Sequence, residues 1–193
     1  MKIYDISREL FSADVYPGDP IPYMENILSL EKQPPDKCQL SRIQMGSHTG
    51  THLDAPKHFI RNGSDASEIP LDKCLGECMV VSCEGAVEKS QIDAWTENNI
   101  TKILIAGNVR LTPDAVNYLV ERGIDCIGVE MSTVAVGDDQ AEVHRLLLER
   151  EVVILEGLSL SGIKNGKYFL CALPLKMAGA DGSPVRAVLI DFL

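Results

Sequence analysis

Three of the four histidines in the chain lie between residues 48 and 58, in a segment that also contains an aspartate. These residues, His48, His52, Asp54 and His58, all have even numbers. Residues two apart share one face of an extended backbone, so all four side chains could point in the same direction. The spacing therefore predicts one polar cluster in this part of the chain.

The segment is poorly suited to a helix because it contains Gly50 and Pro56. At about 100° per residue, a helix would also turn Asp54 and His58 away from the first two histidines. We therefore expect extended or looped backbone, unlike the helical His-Glu-x-x-His zinc motif. Imidazole nitrogens with a carboxylate oxygen suit zinc, and also manganese or iron(II). The segment predicts a divalent-metal site rather than an incidental polar loop.

Two polar residues in the second half of the chain stand beside apolar sequence. His144 lies in a predicted helix, next to Leu146 and Leu147. Glu156 follows the apolar run at residues 152–155, at the mouth of a predicted buried strand. A carboxylate there has to be paired, protonated or bound to metal, because unpaired burial is costly. From the residues alone, a structural role and a functional role fit each of the two equally well.

Short apolar runs alternate with helical patterns, which is typical of an α/β fold. The predicted strands are residues 2–6, 26–30, 40–45, 77–83, 102–106, 126–129, 152–155, 168–172 and 185–190. The predicted helices are residues 90–97, 112–122 and 140–150. The second helix begins with a Thr112 cap and a first-turn Pro113, and it stops at Gly123. A long loop is expected between His48 and Leu71, where a rigid sheet could present a site.

The composition restricts the class of protein. The chain has 193 residues, 45% of them hydrophobic, and we predict a single domain over residues 1–193. No run approaches the roughly 20 apolar residues of a membrane span, and the N-terminus turns polar too early for a signal peptide, so we expect a cytoplasmic protein. The net charge of −10 and the lack of a basic patch disfavour nucleic acid and anionic membranes as partners. The six cysteines lie in apolar runs, as reduced core thiols do, so we assign them no chemistry.

The histidine segment belongs to a set of sequence pieces that spans nearly the whole chain. The pieces are residues 4–7, 16–19, 48–59, 144–147, 154–158, 172–176 and 181–187. In these pieces the chain resembles the metal-dependent hydrolases of the cyclase family, whose best-known activity is kynurenine formamidase (arylformamidase). The resemblance implies a swivelling β/β/α fold with a mixed, barrel-like sheet and flanking helices. It also implies a homodimer or a higher homo-oligomer that acts on a small molecule.

The resemblance also implies a role for each candidate residue. The first metal would be held by His48, His52 and Asp54, and the second by His144, with Asp54 and Glu156 bridging the pair and His58 as the proton shuttle. One or two divalent metals, zinc first among them, would then be the cofactor. Metal coordination lowers the pKa of water from 15.7 to about 7, so a metal-bound hydroxide could attack an amide at neutral pH.

The chain departs from the pattern of the kynurenine formamidases at two places, the segment at residues 128–132, which lacks their aspartate, and Tyr16. Those enzymes carry a tryptophan in the Pro-Gly-Asp segment, where it packs on the aromatic substrate, and this chain has Tyr16 there. Tyrosine keeps an aromatic face, although it has a smaller area and a hydroxyl that needs a partner. We therefore predict that Tyr16 contacts the substrate, whose identity the change leaves open.

Several functions remain as hypotheses. The first is hydrolysis of an N-formyl aromatic amine such as N-formylkynurenine, a step of tryptophan catabolism, or of a related cyclic amide. An alternative is ring opening of the kind that isatin hydrolases perform. Another is a metal-assisted cyclase or dehydratase, and a last one is a non-catalytic dimeric metal-binding module in which His58 would be dispensable.

Overall fold

The computed structural model describes residues 1–192, and these residues form thirteen β-strands and three α-helices. The strands are β1 (Lys2–Asp5), β2 (Tyr23–Leu28), β3 (Leu40–Gln44), β4 (His52–Asp54), β5 (Leu75–Ser82), β6 (Gly85–Ala86), β7 (Lys102–Ala106), β8 (Val109–Arg110), β9 (Cys126–Val129), β10 (Val153–Glu156), β11 (Gly166–Cys171), β12 (Gly182–Pro184) and β13 (Val188–Asp191). The helices are α1 (Lys89–Trp95), α2 (Pro113–Glu121) and α3 (Gln140–Leu148).

Nine of the strands form one mixed sheet, in the order β1-β13-β11-β5-β7-β9-β10-β4-β12. Strands β5, β7, β9 and β10 are parallel to one another, and the pairs on either side of them are antiparallel. The sheet curls into a half-barrel with few helices, which confirms the predicted α/β class and the mixed, barrel-like sheet.

Strands β7, β9 and β10 are buried on both faces, as their continuous apolar sequence predicts. Ile103 and Ile105 of β7 pack into the cluster that contains the helices, whereas Leu104 between them packs into the cluster on the opposite face. This alternation follows from the two-residue period of a strand. The helices therefore cover one face of the sheet.

Local sequence explains the bounds of α2. The Thr112 hydroxyl accepts a hydrogen bond from Ala115 N at 3.2 Å, and Pro113 occupies the first turn, where it sacrifices no helical hydrogen bond. The helix ends before Gly123, whose φ of +78° is favoured by glycine. The predicted cap and stop are both confirmed.

The structure contains four short strands that the sequence patterns did not predict: β4, β6, β8 and β12. Each has two or three residues, too few to show a hydrophobic period. Strand β2 begins at Tyr23 rather than at residue 26, and almost every residue of β2 and its partner β3 is exposed. Hydrophobic patterning does not mark a strand that has no buried face. Within residues 1–192, no helix is both long enough and apolar enough to cross a membrane.

Candidate metal centre

The histidine segment is extended only at its centre. His52 and Asp54 lie on β4, and their side chains share one face of that strand. His48 lies in the preceding turn, where Gly50 has a φ of +66°, and His58 ends a 3-10 turn that begins at Pro56. The even spacing therefore explains the positions of two of the four residues. Looped backbone brings in the other two.

Strand pairing brings Glu156 into the same place. Strand β4 lies between β10 and β12, and in this register His52 stands directly opposite Glu156. Residues opposite each other on paired strands point to the same face, so His52 and Glu156 are neighbours. Helix α3 packs against β10 and carries the fourth histidine, His144, which is 2% exposed. The structure therefore gathers all of the predicted ligands at one point.

The imidazoles surround two buried carboxylates. His52 Nε2 lies 3.3 Å from Glu156 Oε2 and 3.5 Å from Asp54 Oδ1. His144 Nε2 lies 3.3 Å from Glu156 Oε1 and 3.7 Å from Asp54 Oδ2, and His48 Nδ1 lies 2.9 Å from Asp54 Oδ1. Asp54 is 1% exposed and Glu156 is 4% exposed, so water does not solvate these charges. They need compensating positive charge from within the site.

Backbone hydrogen bonds set the direction of two of the rings. His52 donates from Nδ1 to the carbonyl oxygen of Gly50 at 2.9 Å, and His144 donates from Nδ1 to the carbonyl oxygen of Gln140 at 2.7 Å. In the neutral form, each ring then carries its lone pair on Nε2, which faces the carboxylates. Donation from the other ring nitrogen to a backbone carbonyl is how metal-binding histidines are usually oriented.

Two buried polar atoms at this point make no hydrogen bond, namely His52 Nε2 and Asp54 Oδ2. Buried polar atoms are nearly always satisfied, and a divalent cation would satisfy both of these. Donor atoms of His48, His52 and Asp54 lie within 4.8 Å of one another, and so do those of Asp54, His144 and Glu156. The residues present therefore fit one or two divalent metals, with Asp54 common to both groups.

The carboxylates raise the pKa of three surrounding histidines, His48, His52 and His144. Burial opposes protonation of His48, but hydrogen bonds and charges from Asp54 and Asp181 outweigh it and raise its pKa to about 9. Burial also opposes protonation of His52 and His144, and there too the contacts with carboxylates raise the pKa. The same field that holds protons on these rings would favour a cation that replaced them.

His58 differs from the other histidines. Its Nδ1 lies 3.5 Å from Asp181 Oδ2, and its ring stacks on His48 with centroids 3.9 Å apart. Burial lowers the pKa of His58, and the charges of neighbouring histidines contribute in the same direction. It therefore lies beside the candidate ligands, and its carboxylate contact is with Asp181 rather than with Asp54 or Glu156.

Asp181 is a site residue that the sequence analysis did not single out. Its Oδ2 lies 3.1 Å from His48 Nε2, and its Oδ1 accepts a hydrogen bond from Ser47 Oγ at 2.8 Å. Burial opposes ionisation, yet the hydrogen bonds from Ser47 and His48 lower its pKa to about 2. Asp181 also forms a third group of potential ligands with His48 and His58. Residues 181–187 are one of the pieces that resemble the cyclase family, and this was the signal available in the sequence.

A cavity of about 410 Å³ opens above the cluster. Phe59 lines it and stacks on His144, with centroids 4.5 Å apart, and Tyr16 lines it from the N-terminal part of the chain. The Tyr16 hydroxyl donates to Gln140 Oε1 at 3.2 Å, which supplies the partner that a tyrosine at this position needs. A volume of this size is typical of a site for a small molecule.

Comparison with known proteins agrees with this geometry. The family described as "Putative cyclase" matches residues 4–136. A kynurenine formamidase of Maricaulis maris is 31% identical over 97% of this chain and 97% of its own length. A structure described as a potential metal-dependent hydrolase with cyclase activity has a TM-score of 0.80 at 27% identity, over 97% of this chain and 96% of the other. An isatin hydrolase from Labrenzia aggregata has the same fold, with a TM-score of 0.81 at 24% identity over 97% and 93% of the two chains.

The fold, the buried cluster of candidate metal ligands and the similarity to these proteins define an enzyme of the metal-dependent hydrolase class. Within that class, the chain belongs to the cyclase family.

Proposed function

We propose that the protein is an amidohydrolase that cleaves an N-formyl aromatic amine or a related cyclic amide. One observation carries the proposal: His52 Nε2 and Asp54 Oδ2 are buried and unsatisfied, and His52 lies in the lining of a cavity whose walls include Tyr16 and Phe59. The similarity to a kynurenine formamidase over nearly the whole chain supports the amide as the bond that is cleaved. N-Formylkynurenine is the first substrate to test, and activity on it would connect the protein with tryptophan catabolism.

The ligand assignment combines the resemblance with the three-dimensional groups. His48, His52 and Asp54 would hold one metal, and Asp54, His144 and Glu156 a second. Glu156 would also be close to the first metal, since its Oε2 lies 3.3 Å from His52 Nε2. The mixture of imidazole and carboxylate favours zinc, and manganese or iron would also fit. When bound, the metal would supply a Lewis acid for the carbonyl and would lower the pKa of water towards about 7.

His58 is the proton carrier in this proposal. Its ring is held by stacking on His48 and by the approach of Nδ1 to Asp181. This arrangement leaves Nε2 to take up a proton and to pass it to the departing amine. A histidine suits the task because its unperturbed pKa of about 6.5 allows both steps near neutrality.

Aromatic side chains position the substrate ring. Phe59 is fixed by its stacking on His144, and Tyr16 is fixed by its hydrogen bond to Gln140. Flat apolar walls favour an aryl group, since aromatic pairs gain about 0.5–1.5 kcal/mol beyond simple burial. The amide of the substrate would then face the ligand cluster at the cavity floor.

A homodimer is part of the proposal. The β2–β3 hairpin exposes apolar side chains, including Met24 (53% exposed), Ile43 (53%) and Leu40 (50%). An isolated two-stranded hairpin is only marginally stable in water, so it gains from being covered. A second copy of the chain would provide that cover, and the mass in solution, measured by light scattering, tests this.

Two histidine variants test the central claim. His48→Ala removes a proposed ligand, and we expect elemental analysis to find fewer metal ions per chain than in the wild type. His58→Ala should retain the metal and lose about 100-fold or more in kcat, because general acid–base catalysis contributes about 10²–10⁴-fold. N-Formylkynurenine, formanilide and isatin form the substrate panel, and release of formate distinguishes hydrolysis of the formyl amides from cyclisation or dehydration. A wild-type protein that binds no metal in chelator-free buffer would contradict the proposal.

A further inference from the structure

We propose that Asp19 selects substrates by charge, so that the cavity takes aryl amides with a neutral or cationic substituent and disfavours anionic ones. This inference rests on the proposed function and narrows its substrate class. Asp19 lines the same cavity as Tyr16, at a distance in sequence from every predicted metal ligand.

A tight turn presents Asp19 and Tyr16 together. Asp19 N donates to the Tyr16 carbonyl oxygen at 3.0 Å, and the two residues between them are Pro17 and Gly18. Proline at the second position and glycine at the third, here with a φ of +99°, are the signature of a type II turn. One rigid turn therefore places an aromatic ring and a carboxylate side by side on the cavity wall.

The Asp19 carboxylate is available to a ligand. Within residues 1–192 it makes no side-chain hydrogen bond and no ion pair. Its neighbours on the wall are already satisfied: Tyr16 donates to Gln140, and Gln140 Nε2 approaches Thr133 Oγ1 at 3.4 Å. Asp19 is the group on this wall that a positively charged or N–H-bearing substituent would meet.

The cavity offers no side chain that would pair with an anion at this position. No lysine or arginine is among the described residues that line it, whereas Asp181 adds a second carboxylate. Two arginines elsewhere in the described chain are committed to other partners: Arg8 donates to the backbone oxygens of Leu158 and Glu130, and Arg110 pairs with Asp139. An anionic substituent at this exposed wall would therefore meet the Asp19 carboxylate and gain no countercharge.

Three para-substituted formanilides of similar size test the inference on the metal-loaded enzyme. The 4-carboxamide is neutral, the 4-aminomethyl derivative is cationic, and the 4-carboxylate is anionic. For the wild type we expect kcat/KM to decrease in the order cationic, neutral, anionic, with the anionic probe about threefold to fivefold below the neutral one, within the range for an exposed charge pair. All probes meet the same metal centre, so the ratios report the charge at the cavity wall.

Asp19→Asn removes the charge and keeps the shape. We expect the ratio of cationic to neutral kcat/KM to fall by about threefold to fivefold in this variant. Asp14→Asn is the matched control, since it changes the net charge equally on an exposed residue outside the cavity lining. Its ratio should equal that of the wild type. Equal ratios in wild type and Asp19→Asn, or an equal fall in Asp14→Asn, would overturn the inference.

Binding of the three anilines that remain after hydrolysis, measured by calorimetry, separates the two proposals. If the probes are hydrolysed without charge preference, the proposed function stands and the role of Asp19 is wrong. If none is hydrolysed, the amidohydrolase proposal fails. The order of the aniline affinities then still tests whether Asp19 selects ligands by charge. Equal affinities, or no binding of any aniline, would refute its role.

Discussion

Gly182 leaves room for the His48 ring, and this makes it a sensitive probe of the metal centre. A Cβ atom at Gly182 would lie 2.6 Å from Cε1 and 3.0 Å from Nε2 of His48, and 2.9 Å from the carbonyl oxygen of Leu53. The Leu53 oxygen is fixed, because β12 pairs with β4 at this point. In Gly182→Ala, the imidazole of His48 must therefore move.

The size of that movement determines the expected effect. Ordinary contact begins at 3.4 Å, so the ring has to retreat by the difference from 2.6 Å, which is 0.8 Å. Metal sites tolerate deviations of about 0.2 Å in ligand distances. We expect Gly182→Ala to weaken metal binding by about tenfold to 100-fold, the range found when the support of a ligand is lost. This corresponds to about 1.4–2.7 kcal/mol.

Competition with a chromophoric chelator at fixed pH measures the metal affinity of each variant. Gly162→Ala is the control: its φ of +80° makes alanine strained, yet a Cβ there meets no atom within 4 Å. We expect it to lose about 1 kcal/mol of stability and to bind metal as the wild type does. Unchanged metal affinity in Gly182→Ala, or an equal loss in Gly162→Ala, would refute the reasoning.

The other predictions concern the cavity wall and the thiols. Tyr16→Phe removes the hydroxyl that donates to the α3 side chain, and we expect steady-state kinetics to show a rise in KM of about twofold to tenfold, larger than the change in kcat, because one hydrogen bond contributes about 0.5–1.5 kcal/mol. A wild-type KM in Tyr16→Phe would show that this hydrogen bond does not position the ring for the substrate. In native protein at pH 8, a thiol reagent should modify the exposed Cys38 before Cys74 and Cys78, since burial raises the pKa of both buried thiols to about 12 and keeps them protonated. Labelling is followed by mass spectrometry, and rapid labelling of Cys74 or Cys78 in folded protein would contradict the burial of these two side chains.

Local patterns predicted the parts of the molecule that local chemistry determines. Strand β7 and helix α2 were predicted because an apolar run and a proline cap act over a few residues. His52 and Asp54 were predicted on one face because a strand alternates. The resemblance to the cyclase family supplied what these patterns could not, namely the grouping of His144 with Glu156 in one site.

Other parts of the site depend on pairing between distant segments. Glu156 faces His52 only because β10 pairs with β4, and β4 is three residues long. Asp181 reaches His48 from the segment that precedes β12, and a single aspartate before glycine reads as a turn residue in sequence. Nothing in the local pattern of either segment encodes its partner, so these contacts required the structure.

The register between β1 and β13 has a consequence for the order in which the sheet forms. Lys2 pairs with Asp191 and Asp5 with Val188, so among residues 1–192 the strand neighbour of β1 comes from the far end of the sequence. Contacts of such large sequence separation close long loops, and proteins rich in them fold slowly. During synthesis, β1 has to wait as an unpaired edge until β13 has emerged, at about 5–20 residues per second. The chain should therefore be most prone to aggregation before β13 is made. A chain truncated before Val188 should be recovered mainly as aggregate.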